Sequence, residues 1–153
     1  MKDNSLVVAK AMYDMYGKKF HSGMDEMKMH KLMYFTQKES LMYDRDTLFD
    51  EAFYGWKFGP VLKSVRSEYK SGHPFVSVKG EPSSRAKELM EGVLDRYGSE
   101  SSWKLSSLSH DELSWKLARK GLDAADNGDV PLTVNAMMLD AMHELAERKK
   151  QPC

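Results

Sequence analysis

The chain has 153 residues, 41% hydrophobic and 30% charged, and its 23 Lys and Arg balance 23 Asp and Glu to a formal net charge of zero. That length predicts one domain, residues 1–153, with enough apolar content for a core, and the balance argues against a protein that works mainly by neutralising phosphates, so nucleic acid is not an expected partner. Cys153 is the only cysteine, which excludes an intramolecular disulfide and a thiolate metal cage; the absence of a basic stretch leading into an apolar run, or of any segment near about 18 apolar residues, predicts a cytoplasmic protein with no membrane partner.

Leu6, Ala9, Tyr13 and Tyr16 fall at helical spacing, and Gly17 is the expected stop. Residues 24–42 place Met27, Tyr34 and Leu41 on one stripe with Leu32 and Met33 off it; a helix apolar on several sides is usually central to its domain. Tyr43-Asp44-Arg45-Asp46 breaks that pattern. Residues 51–58 and 75–79 are short, aromatic or β-branched and bounded by Gly or Pro, so they are the expected strands of a small ribbon. Between them Gly59-Pro60 reads as a sharply defined helix entry, because Pro suits the first helical position. Val61, Leu62, Val65 and Tyr69 then form a helix ending near Gly72.

Ala86, Leu89, Met90, Val93, Leu94 and Tyr97 give a clean helical stripe closed by Gly98. Ser109 with Glu112 three residues on has the form of a capping box, predicting a helix from there to Gly121. A loop at Asp126-Asn127-Gly128-Asp129 follows. Thr133 then caps a last amphipathic helix bearing Val134, Met137, Met138, Ala141, Met142 and Leu145. The expected fold is mainly α (α+β), a compact bundle of about six helices with a small β ribbon. Of the twelve methionines, Met29, Met33, Met137 and Met138 read as core filler, although Met also suits adaptable binding surfaces.

Signatures of catalysis are absent: there is no Gly-x-Ser-x-Gly, no Gly-x-x-x-x-Gly-Lys and no His-Glu-x-x-His. No cofactor is indicated. Asp44-x-Asp46 near Asp50 hints at a calcium loop, but Phe49 stands where that loop needs Gly. His110 beside Ser109 is the best single candidate for chemistry; the competing explanation is a helix cap with a first-turn histidine. The other histidines are scattered, so that His30 meets His110 only if the fold happens to bring them together. Lys31 and His143 read as solvated or partly covered helix residues. Trp56, Phe58 and Trp115 read first as buried anchors and second as exposed binding hot spots. Tyr54, Trp56, Lys57 and Phe58 are the expected partner-binding residues.

Three segments stand in register: Lys31-Leu32-Met33-Tyr34, the run from Phe49-Asp50-Glu51 to Gly59-Pro60-Val61, and Leu105-Ser106-Ser107-Leu108-Ser109-His110 with Trp115. Together they resemble the SocA-like antitoxin family, or Panacea domain, long catalogued as a phage-associated domain of unknown function. The resemblance covers residues 5–147. Its motif positions are Lys31, Leu32, Tyr34, Phe49, Glu51, Gly59, Pro60, Val61, Leu108, Ser109, His110 and Trp115. Phe53 and Tyr54 enlarge the aromatic strip, Ser109 replaces Thr, and Ser114 replaces a Pro whose loss is expected to loosen a turn.

The resemblance implies a non-enzymatic, protein-binding antitoxin that neutralises a co-encoded toxin by direct contact. It also implies, as a second form of the role, an adaptor that hands the toxin to an ATP-dependent protease. The alternatives are a transcriptional regulator of its own operon and a small hydrolase using His110. No Gly-containing helix-turn-helix with a basic recognition helix supports the regulator.

Overall fold

The computed structural model describes residues 2–123, 125–126 and 128–150; Cys153, and Asn127 of the expected loop, lie outside them. Asn4 opens α1 (Ser5–Phe20) by accepting from the Leu6 and Val7 amides. The helix does not stop at Gly17. Tyr16 and Phe20, one turn apart, pack with ring centroids 4.7 Å apart, and His21 closes the helix in the left-handed region at φ 56°.

Helix α2 (Glu26–Asp44) begins at an Asp25 cap and is buried without interruption from Lys28 to Met42. It therefore is the central helix that its many-sided apolar pattern predicts. Its burial also takes in Lys28, His30, Lys31, Lys38 and Glu39, so the helix carries its charges into the interior, each needing a local partner.

The ribbon is not the one expected. Strands β1 (Tyr54–Trp56) and β2 (Gly59–Val61) pair antiparallel, Tyr54 with Val61, Gly55 with Pro60 and Trp56 with Gly59, across a two-residue turn of Lys57 and Phe58. Gly59-Pro60 is thus a strand, not a helix entry. Pro60, which has no amide to donate, is tolerated because the Gly55 backbone across from it faces the other way, its carbonyl accepting from Arg119 and its amide donating to the Val130 carbonyl, each at 3.0 Å. Residues 75–79 form turns instead of a strand: Phe75 adopts φ 66° and buries its ring between Tyr13 and Tyr69.

Helix α3 (Lys63–Lys70) follows Leu62, which supplies no side-chain cap. Glu51 caps it from outside, its Oε2 accepting from the Ser64 amide at 3.0 Å and its Oε1 from the Ser64 and Ser5 hydroxyls at 2.5 Å. Helix α4 (Ser84–Tyr97) starts at the Ser83 cap and buries the stripe read from the sequence.

The late motif departs most from expectation. Helix α5 (Ser102–His110) ends where a helix was expected to begin, and α6 (Leu113–Ala118) is separate and short. Ser109 is not a cap: its hydroxyl is buried in the last turn of α5 and donates to the Ser106 carbonyl at 3.0 Å. The cap of α6 is Asp140, on α7 (Val134–Lys150), whose two oxygens accept from the Leu113 and Ser114 amides at 2.8 Å each. A Pro at 114 would have no amide to give, so Ser114 tightens this junction instead of loosening it. Thr133 caps α7 as expected.

The seven helices among the described residues and the ribbon make the fold mainly α with a small β element. One apolar cluster joins them around α2, which packs against α1, α3, α4, α5, α7 and β2. Met29, Met33 and Met137 are buried in it and Met138 packs at its edge, in keeping with a filling role.

Candidate functional site

Lys31 is not a solvated helix residue: it is 2% exposed. Its ammonium donates to the carbonyl of Phe58 in the hairpin turn, and Ser106 donates to the same oxygen at 3.0 Å. Among the described residues no carboxylate lies within ion-pair distance of it. Desolvation with nothing to offset it lowers its pKa to about 8. Gly59 is what lets the chain pass so close. Its φ is +123°, and a Cβ there would meet the Lys31 ammonium and come within 2.9 Å of Ser109 Oγ.

A cavity of about 350 Å³ opens beside this crossing, walled by Glu26, Met27, His30, Lys31, Trp56, Lys57, Phe58, Val61 and Arg66. Glu26 is already engaged, by Arg66 at 2.7 Å and His30 Nε2 at 3.0 Å. His30 Nδ1 accepts from the Leu62 amide at 3.2 Å, which fixes the proton on Nε2; burial, chiefly, keeps its pKa below the ordinary value. The Trp56 indole N–H is buried without a partner among the described residues.

Outside the cavity the surface is aromatic. Phe58 is 47% exposed and Trp103 is 69% exposed, and their rings meet edge to face at 6.4 Å. Lys57 lies over the Phe58 ring at 5.1 Å. Phe58 is therefore not a buried anchor. Trp56 and Tyr54 are half-buried, Tyr54 under the Lys63 ammonium at 4.0 Å.

His110 does not sit in a first turn. It is the last residue of α5, stacked on Trp115 at 4.2 Å with the rings 12° apart. Trp115 donates through Nε1 to the Trp56 carbonyl at 2.8 Å, joining α6 to β1. Partial burial, and then the Lys31 charge, lower the His110 pKa. His30 feels the same charge, so the fold does bring the two histidines to one neighbourhood, with Lys31 between their influences.

The remaining motif residues are structural. Tyr34 is fully buried, its hydroxyl within hydrogen-bond distance of Ser114 Oγ at 3.0 Å and donating to Glu112 at 3.2 Å; Glu112 also pairs with Lys38. Phe49, Leu32 and Val61 are buried, and Leu108 packs at the edge of the core. Asp44 pairs with Arg85 at 2.8 Å and Asp46 with Lys2 at 2.5 Å, so both carboxylates of the suspected calcium loop are occupied by cations. His143 is exposed, as read.

Trp103 is not among the expected partner-binding residues, yet the sequence carries a signal for it. It lies about 200° around the helix from the buried Leu105, on the face the core does not take. Lys31 had a signal too: a charged residue in a helix apolar on several sides must be covered.

Residues 29–116 match the family model described as antitoxin SocA-like, Panacea domain. No curated protein and no solved structure matches the chain. No helix among the described residues is long and apolar enough to cross a membrane.

Proposed function

The chain belongs to the SocA-like antitoxin, Panacea-domain family, and from that premise we propose that it neutralises a toxin encoded beside it by direct contact. The observation that carries the reading is the Phe58–Trp103 pair, two large aromatic rings left in solvent beside a cavity. Exposed Trp and Phe of this kind cost solubility unless a partner covers them, and aromatic anchors dominate binding energy. An interface of ordinary size buries about 1,200–2,000 Å² in all, so the hairpin turn and the start of α5 would form its centre with neighbouring helices contributing.

Nothing in the reading asks chemistry of His110. Its ring is stacked on Trp115, and the Ser106 and Ser109 hydroxyls beside it are buried and already donate to carbonyls.

Co-expression with the neighbouring gene is the direct test. The neighbour's product should be toxic alone, harmless with this protein, and recovered with it as a stoichiometric complex. A harmless neighbour, or lethality that persists with no complex, overturns the proposal.

A further inference from the structure

The cavity beside the hairpin has an imbalance that its own residues do not resolve. Three cations, Lys31, Lys57 and Arg66, stand on its wall against one carboxylate, Glu26. Glu26 is held by Arg66 and His30, which leaves Lys31 and Lys57 without an anion among the described residues. The hydrogen-bond inventory tilts the same way. An ammonium has three protons to give, and Lys31 places one, on the Phe58 carbonyl; the Trp56 indole N–H places none. What is missing is an acceptor bearing negative charge. The rest of the wall, Met27, Phe58 and Val61, is apolar, so the missing group arrives on an apolar stem.

We infer that this cavity is the socket for an acidic side chain, Asp or Glu, of the protein partner, with Lys31 and Lys57 supplying the charge and Trp56 a neutral donor. The inference rests on the reading above that the partner is a protein. A volume of about 350 Å³ accommodates one side chain with a flanking apolar residue. A charge-assisted bond from the carboxylate would offset the cost of this buried ammonium, since an unpaired buried charge is costly. Lys31 is 2% exposed, so the incoming carboxylate displaces the Lys57-Phe58 turn, the two hairpin residues outside the strand pairing. The exposed Phe58 and Trp103 rings then flank the entering residue.

The test separates this inference from the antitoxin reading. Wild-type protein labelled with 15N is titrated with the peptide Ac-Leu-Glu-Leu-NH2 and with Ac-Leu-Gln-Leu-NH2, following the Trp56 indole N–H signal. The Glu peptide is expected to shift that signal saturably, and at least ~10-fold more tightly than the Gln peptide, the discrimination a charge-assisted bond supplies. Lys31→Met should abolish the difference while leaving the fold intact, because Ser106 still donates to the Phe58 carbonyl.

Equal response to the two peptides, or a Glu preference that survives Lys31→Met, overturns the socket. Should Lys31→Met not fold, the two peptides on wild-type protein decide by themselves. Titration with 3-phenylpropionate checks the source of the carboxylate: if it binds ~100-fold more tightly than the Glu peptide, the site serves a small molecule and the inference falls. A toxin complex that forms and is indifferent to Lys31→Met likewise overturns the socket and leaves the antitoxin reading standing. A Lys31-dependent Glu response with no toxin complex does the reverse.

Discussion

Lys31 of the central helix donates a hydrogen bond to the carbonyl of Phe58, 27 residues on, at the turn of the hairpin. That contact ties the family's first motif to its second, and Ser106, donating to the same oxygen, ties in the third. Three segments that look independent along the chain thus converge on one backbone carbonyl.

A buried lysine with no anion destabilises the folded state, and its pH dependence has a definite sign. The pKa is lowered from 10.5 to about 8 on folding, so the penalty is fully present below pH 8. It is relieved as pH rises from about 8 to 10.5, where only the unfolded chain still binds the proton. Lys31→Met should therefore raise stability at pH 7 by up to about 3 kcal/mol, at about 1.4 kcal/mol for each tenfold change in proton affinity. The gain should shrink markedly by pH 9.5, a range in which His30 and His110 are already neutral. Urea denaturation of both proteins at the two pH values measures it; a gain of equal size at both contradicts the assignment.

Gly59 should not tolerate a side chain. Its φ of +123° is strained for any other residue, and the new Cβ meets Lys31 and Ser109. Gly59→Ala is expected to cost about 1–3 kcal/mol. The same change made on a Lys31→Met background should cost less, because part of the clash is with the ammonium. Equal losses in the two backgrounds would assign the cost to backbone strain and the Ser109 contact, with none left to the ammonium.

Asp140 holds the start of α6 from another helix. Removing its carboxylate leaves the Leu113 and Ser114 amides unpaired, and Asp140→Ala should lower stability by about 2 kcal/mol. Asp140→Asn keeps one acceptor and should lose less. Ser109→Ala, in contrast, removes a hydroxyl that caps nothing, so chemical denaturation should rank Asp140→Ala as the more damaging of the two.

Phe58 and Trp103 should matter for binding and little for folding. Each is at least 47% exposed, and Phe58→Ala or Trp103→Ala is expected to weaken the toxin complex by at least ~2 kcal/mol with melting temperature nearly unchanged. Tyr54→Ala should behave differently, lowering stability as well, because that ring is half-buried under Lys63 and sits in the ribbon. Calorimetric titration alongside thermal melts separates the two patterns.

Periodicity was enough to place α1, α2, α4 and α7, because each carries an apolar stripe at helical spacing and a Ser, Thr, Asn or Asp at its start. It was enough, too, to make α2 central and the fold mainly helical. What it could not settle was every feature whose partner is distant in the chain. Ser109 and Glu112 have the spacing of a capping box, yet the acceptor at α6 is Asp140, and nothing local distinguishes a cap supplied from 26 residues away. Gly59-Pro60 has the local form of a helix entry, and became a strand because Trp56 and Gly55 lie opposite it. Lys31 is the sharpest instance. Its residue type says solvent, while its burial follows from six elements closing around α2, so only the tertiary structure decides that its charge lies buried beside a cavity.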